Sequence, residues 1–259
     1  MERTQQVTPT NGAALAGGAA EGERRVGAPD DPGERARLLR RLAHDILSPT
    51  GVVSGALDEL KNVIGEAPDA ALYTGMMGRG ISRLRRLASR LSMTAEAVDG
   101  GLRLDAQRRD VRDLLEAALR DASSLDGRKS VTLSRTLGEE ALFAPVDERL
   151  VLQALTEVVG NALRHAASQV AVEAVRRGEM IVVTIEDDGP GLPGDPERLF
   201  NRFRQDVTQR SLGLSLPLVA DVLAAHGGRV VTGQSRLPPR RGTRPGAAFS
   251  IELPASADV

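Results

Sequence analysis

Residues 39–64, LRRLAHDILSPTGVVSGALDELKNVI, place apolar side chains at steps of three and four: Leu39, Leu42, Ile46, Pro49, Val53, Leu57, Leu60 and Ile64. That spacing predicts one long helix with a single apolar stripe. His44 stands two residues from both Leu42 and Ile46. At about 100° per residue it falls on the opposite side, offering an imidazole to solvent. Working outward, Asp30 or Asp31 before Pro32 supplies a helix start, and Gly65 to Pro68 breaks the pattern. A second periodic segment carries Met77, Ile81, Leu84, Ala88, Leu91 and Ala95 on one face and stops at Gly100 and Gly101. Two helices joined by a short turn make an antiparallel hairpin. A lone hairpin leaves half of each stripe wet, and a homodimeric four-helix bundle is the economical remedy.

Composition bounds the rest. The chain has 259 residues, room for two domains, and a net charge of -1 from 34 basic and 35 acidic residues. No global field pulls it toward nucleic acid or an anionic membrane. The basic residues are nearly all arginine, with only Lys61 and Lys129 as lysines, and there is no cysteine for a disulfide, a thiolate metal site or a thiol nucleophile. The opening MERTQQVTPT has no apolar run, and nowhere do 18 uncharged apolar residues follow one another. A soluble, cytoplasmic protein with no membrane contact is expected. Residues 1–31, rich in Gly, Ala, Pro and charge without period, are expected to be a disordered tail. Residues 32–99 are expected to form the hairpin and 100–259 a second domain.

From Leu102 the texture alternates. Val111 to Leu125 reads as helix, Val131 to Thr136 and Ala141 to Ala144 as strands, and Asp147 to Ala166 as a long helix. Two further strands, Gln169 to Val175 and Met180 to Glu186, lead into a Gly/Pro loop at Asp187 to Gly194. After a polar segment come a helix, Leu214 to Ala225, and closing strands at Arg229 to Thr232 and Ala248 to Leu253. The fold class expected is α+β: a hairpin, then an α/β sandwich with a mixed sheet against helices.

Three segments carry chemistry. On the helix Glu157-Val-Val-Gly-Asn161-Ala-Leu-Arg164-His165, the residues Glu157, Asn161 and Arg164 are four and three apart and share a face. A carboxamide oxygen suits Mg²⁺ and a guanidinium suits phosphate, although such a face also serves as plain solvated surface. Asp187-Asp-Gly-Pro-Gly-Leu192 follows an apolar strand. Its glycines allow close backbone approach to a flat ligand and a carboxylate there can accept adenine's amino hydrogens, while a tight turn with solvated acids is the plainer reading. Leu199-Phe-Asn-Arg-Phe203, then Gly213-Leu-Ser-Leu216 and His226-Gly-Gly228, suggest an anchored flap and a helix end; ordinary core and a capping or cationic histidine account for them equally.

In order and spacing these pieces resemble the two-component histidine kinase family over roughly residues 33 to 254. HDILSP looks like its phosphoacceptor box, EVVGNALRHA its asparagine box, DDGPGLP its first glycine box, LFNRF its phenylalanine box and LGLSLPLVADVLAAHGG its second glycine box. GAAFSIELP resembles the closing strand of the same ATP-binding domain. The resemblance implies that His44 takes the γ-phosphoryl group of ATP and passes it to a receiver-domain aspartate of a response regulator. Asp45 would orient His44 and accept its proton, and Ser48 would position a water for receiver dephosphorylation. ATP and Mg²⁺ would be held by Glu157, Asn161, Arg164, His165, Asp187, Gly189, Gly191 and Gly213, with Asn161 at the metal and Asp187 at adenine. Pro49 would remove the helix bond to the Asp45 carbonyl. No sensor domain is evident, so input would come from a separate protein or from the tail. Only Gly213 remains of the second box's glycines. An alternative therefore stands: a phosphorelay phosphotransferase or phosphatase adaptor with a degenerate nucleotide domain. A chaperone-, topoisomerase- or serine-kinase-like relative of the nucleotide fold would have no use for the hairpin.

Overall fold

The computed structural model describes residues 31–64, 68–123, 131–201, 213–239 and 244–257. The expected tail up to residue 30, the hairpin turn 65–67, Leu125 and the polar run with Phe203 lie outside the described residues.

Two long helices, α1 (Pro32–Ile64) and α2 (Pro68–Val98), pack along each other as a hairpin. Asp31 opens α1 by accepting from the Gly33 and Glu34 amides, both at 3.2 Å, and Pro49 is carried inside the helix without ending it. The apolar stripe divides. Ala36, Leu39, Ala43 and Leu57 are buried against α2, with Thr50 on the same seam returning its hydroxyl to the Ile46 carbonyl at 2.5 Å. Leu42, Val53, Leu60 and Ile64, with Met77 and Leu84 of α2, are the part of the two stripes that the single hairpin leaves exposed. Small residues let the helices approach closely along Ala43 and Ala88, and this turns the larger side chains outward.

The second unit has two layers. Its five-stranded sheet runs β2 (Thr132–Leu137), β4 (Gln169–Arg177), β5 (Met180–Asp187), β7 (Ala247–Pro254), β6 (Arg229–Gln234). Only β2 and β4 are parallel, so the sheet is mixed as expected. Helices α3 (Val111–Ser123), α4 (Glu148–His165) and α5 (Ser215–Ala225) supply the other layer, and Leu115, Leu150, Leu155, Ile185, Leu223 and Ile251 fill the space between. Strand alternation sends Val170, Val172 and Ala174 inward and leaves Thr184 and Ser250 paired on the outer face.

Several boundaries shift. A two-stranded ribbon, β1 (Gln107–Asp110) with β3 (Phe143–Val146), includes a strand that QRRD does not announce, because charged edge residues carry no apolar alternation. Its pairing moves the strand expected at Ala141 two residues onward. A 3-10 turn, Pro196–Phe200, sits in the segment read only as polar. His226 proves to be a buried connector: its Nε2 accepts the Asp147 amide at 3.0 Å while Nδ1 donates to the Val222 carbonyl at 2.7 Å.

The two units meet along α2: Met93 is buried in the core of the second unit, and Glu96 pairs with Arg149 of α4 at 3.8 Å. Leu214, just before α5, is only 4% exposed because it inserts among Leu39, Ala43, Ala88 and Leu91 of the hairpin. Arg90 of α2 reaches Glu157 of α4.

Candidate nucleotide and phosphoacceptor site

Helix α4 is well anchored at its start. Asp147 caps it, accepting from the Leu150 amide at 3.1 Å and from the Asp105 amide at 3.1 Å. Eighteen residues later, its last turn brings His165 against the loop after β5. The expected polar face is present: Arg164 Nη1 donates to Asn161 Oδ1 at 2.8 Å, and Glu157 lies one turn back. Glu157 is not solvated. It is 1% exposed, receives Gln153 Nε2 at 2.7 Å, and is gripped by Arg90 at 2.6 Å to each oxygen. The Arg90 charge is what makes a carboxylate tolerable at that depth: its Nε donates to Oε1, while Oε2 is held by charge and proximity without a hydrogen bond.

The adjacent aspartates of the loop divide two tasks. Asp188 is a clasp: Oδ1 accepts the Ala167, Ser168 and Gln169 amides at 2.8–2.9 Å, and Oδ2 accepts the Ser168 hydroxyl at 2.6 Å. Hydrogen bonds from Ser168 and these amides outweigh burial and hold its pKa near 2. Asp187 is buried too, and burial dominates, raising its pKa above the ordinary value. The Gly189 amide at 2.8 Å and the Ala247 amide at 3.4 Å offset this only partly, and both go to Oδ1. Oδ2 is the acceptor left for a ligand.

Backbone packs against backbone around it. A Cβ at Gly189 would collide with the His165 carbonyl oxygen, and one at Gly246 with the Asp187 carbonyl oxygen. Gly191 has φ of 78°, which a side chain would strain. Residues of α4, the loop and the start of β7 thus pack backbone to backbone around Asp187. Gly213, also at positive φ, lies two residues before α5. The donor set suits a metal delivered on phosphate oxygens: among the described residues no cluster of three or more His, Cys, Asp or Glu could hold one outright. One carboxamide, Asn161, would be the protein's ligand in a shell otherwise made of phosphate oxygens and water.

The expected hairpin residues form a second cluster. His44 is 80% exposed, with Nδ1 3.5 Å from Asp45 Oδ1. Ser48 and Pro49 are exposed one turn on. This cluster is on α1, and the packing around Asp187 is on α4, β5 and β7; Leu214 and the Arg90–Glu157 pair join the units that carry them.

Residues 146–257 match the family described as histidine kinase-, DNA gyrase B- and HSP90-like ATPase. Outside that stretch, the similarity extends through the hairpin to curated sensor kinases. The alginate biosynthesis sensor protein KinB of Pseudomonas aeruginosa is 26% identical over 217 residues, 81% of this chain and 36% of its own length. The sensor protein RstB of Escherichia coli is 26% identical over 224 residues, 84% of this chain and 48% of its own. The chain carries a histidine kinase-type ATPase domain, and its similarity to sensor histidine kinases runs over most of its length. It spans about a quarter to a half of the length of such sensor kinases, for example 24% of KdpD and 48% of RstB, both of Escherichia coli. Solved histidine kinases share the fold. Full-length ShkA in complex with AMPPNP superposes with TM-score 0.60 at 21% identity, covering 86% of this chain and 47% of that one. Acinetobacter baumannii AdeS gives TM-score 0.54 at 20% identity over 83% of this chain and all of that one. As a histidine kinase relative, the chain has no helix among its described residues long and apolar enough to cross a membrane.

Arg90, Gly246 and Asp188 are parts of the site that sequence reasoning missed. Arg86 and Arg90, one turn apart on the side of α2 away from Ile81 and Ala88, were the available signal. On a helix with this many arginines, ordinary solvated surface is the default interpretation.

Proposed function

We propose that this chain is an ATP-dependent protein histidine kinase that phosphorylates His44 and passes the phosphoryl group to the aspartate of a response-regulator receiver domain. The observation that carries the reading is Asp187, buried in a glycine-walled cradle against the Asn161 end of α4, in one chain with an exposed His44–Asp45 pair. ATP would be held with its adenine amino group on Asp187 Oδ2 and its phosphates toward Asn161 and Arg164. Mg²⁺, bound beside Asn161, would neutralise triphosphate charge.

With Nδ1 turned to Asp45, the imidazole presents Nε2 as the nucleophile. Nε2 attacks the γ-phosphorus, a P–N bond forms, the bond to the β,γ-bridging oxygen breaks, and ADP leaves. Asp45 takes up the Nδ1 proton, so the phosphorylated ring ends neutral. Transfer onward forms an aspartyl phosphate and returns the bare ring. Ser48 would hold the water that hydrolyses the receiver's phosphate.

The working unit is a homodimer. Leu38, Leu42, Val53, Leu60, Met77 and Leu84 are large, apolar and exposed on the hairpin, a patch of the kind that a second copy covers. The decisive experiment incubates the chain with γ-labelled ATP and Mg²⁺. An acid-labile, base-stable label that vanishes in His44→Gln is expected; no label on the wild type defeats the reading.

A further inference from the structure

The face of α4 that bears Asn161 is not open to solvent alone; the hairpin helix α2 lies along it. Arg90 spends its guanidinium on Glu157, but Arg86, one turn earlier, engages no hydrogen bond among the described residues. Its Nη1 sits over Gly160, 3.7 Å from where a Cβ would be, one residue from Asn161. A Cβ at 160 would be in ordinary van der Waals contact with this guanidinium. Arg86 also lines a groove of about 380 Å³ between α2 and α4, together with Arg85, Gln153 and Thr156. Its charge is poorly compensated. Burial lowers its pKa, Glu157 opposes that, and Arg90 and Arg164 lower it further, with Asp121 the weakest of the neighbours. Glu157 is already claimed by Arg90, so around Gly160 the guanidiniums of Arg86, Arg90 and Arg164 outnumber that carboxylate, an arrangement that an anion relieves.

We propose that Arg86, reaching from the hairpin across Gly160 to the Asn161 face of α4, binds the terminal phosphate of ATP. This rests on the nucleotide reading above and deepens it. The hairpin then contributes directly to the nucleotide site, and the two units are tied more tightly by ATP than by ADP. Arginine suits the task because its planar fork can donate twice to one phosphate.

The test is titration calorimetry of the full chain with Mg·ATP and Mg·ADP, comparing wild type, Arg86→Ala and Arg86→Lys. Arg86→Ala should weaken ATP about tenfold and ADP less than about twofold, and Arg86→Lys should recover part of the loss. Equal weakening for both nucleotides, or none, overturns the assignment while leaving the kinase reading in place. Wild type that binds neither nucleotide overturns both. The ATP-to-ADP ratio is the informative quantity, since general loosening of the interface would move both affinities together.

Discussion

At the residue scale the two neighbouring acids behave oppositely, and pH separates them. Asp188 has a folded pKa of about 2 against an ordinary 3.8. Its hydrogen bonds therefore add stability that is fully present above the ordinary value and lost as pH falls through about 2, amounting to about 2 kcal/mol. Urea melts of wild type and Asp188→Asn between pH 7 and pH 2 should show that advantage shrinking below pH 4 and gone near pH 2. For Asp187 the sign reverses: burial raises the folded pKa, so ionisation costs stability at neutral pH. Asp187→Asn keeps an oxygen for the Gly189 and Ala247 amides, but puts an NH₂ where adenine's amino group would donate. It should retain or gain thermal stability while nucleotide binding falls at least about tenfold, read by calorimetry. That an aspartate stands beside close-packed glycines was legible from the Asp-x-Gly-x-Gly spacing, and the clasp role of Asp188 was not. Which acid faces the cradle depends on where the turn after α4 lies, and residues 167–169 are 19 to 21 positions away in the chain.

At the scale of elements, the long helices were legible because period and caps are local signals: α1 runs Pro32–Ile64 and α4 ends at His165. The strand Gln107–Asp110 was not, since its partner is β3, more than 30 residues on, and its side chains are charged. Leu214 shows what element docking adds. Read as the edge of a glycine-poor motif, it is instead the apolar plug by which α5 seats on the hairpin. Leu214→Ala should cost about 2–4 kcal/mol in denaturant melts, because Ala36, Leu39, Ala88 and Leu91 cannot all close the gap. Hydrogen exchange should speed up at the start of α5 and along the facing turns of both hairpin helices.

At the scale of the whole molecule, the exposed apolar residues of the hairpin call for a second copy. Sedimentation should give a dimer, and the double variant Leu42→Asp, Val53→Asp should sediment as a monomer without losing helical signal. Neither side chain supports the buried seam between α1 and α2, since both are exposed in the single chain, at 43% and 48%.

What the sequence determined by itself was the order of elements and the succession of chemistry-bearing segments: an outward histidine, a helix with Asn161, an aspartate ahead of glycines. Each depends on residues within a turn or two of one another, where periodicity and backbone preference act directly. Tertiary structure alone decided which residues of the apolar stripe form the inner seam and which the outer face. It also set Asp188 to hold a turn, made His226 a buried linker, and brought Arg86 and Arg90 onto α4. Those outcomes depend on which surfaces pack together, and packing is settled by volume, burial and charge pairing between segments far apart in the chain.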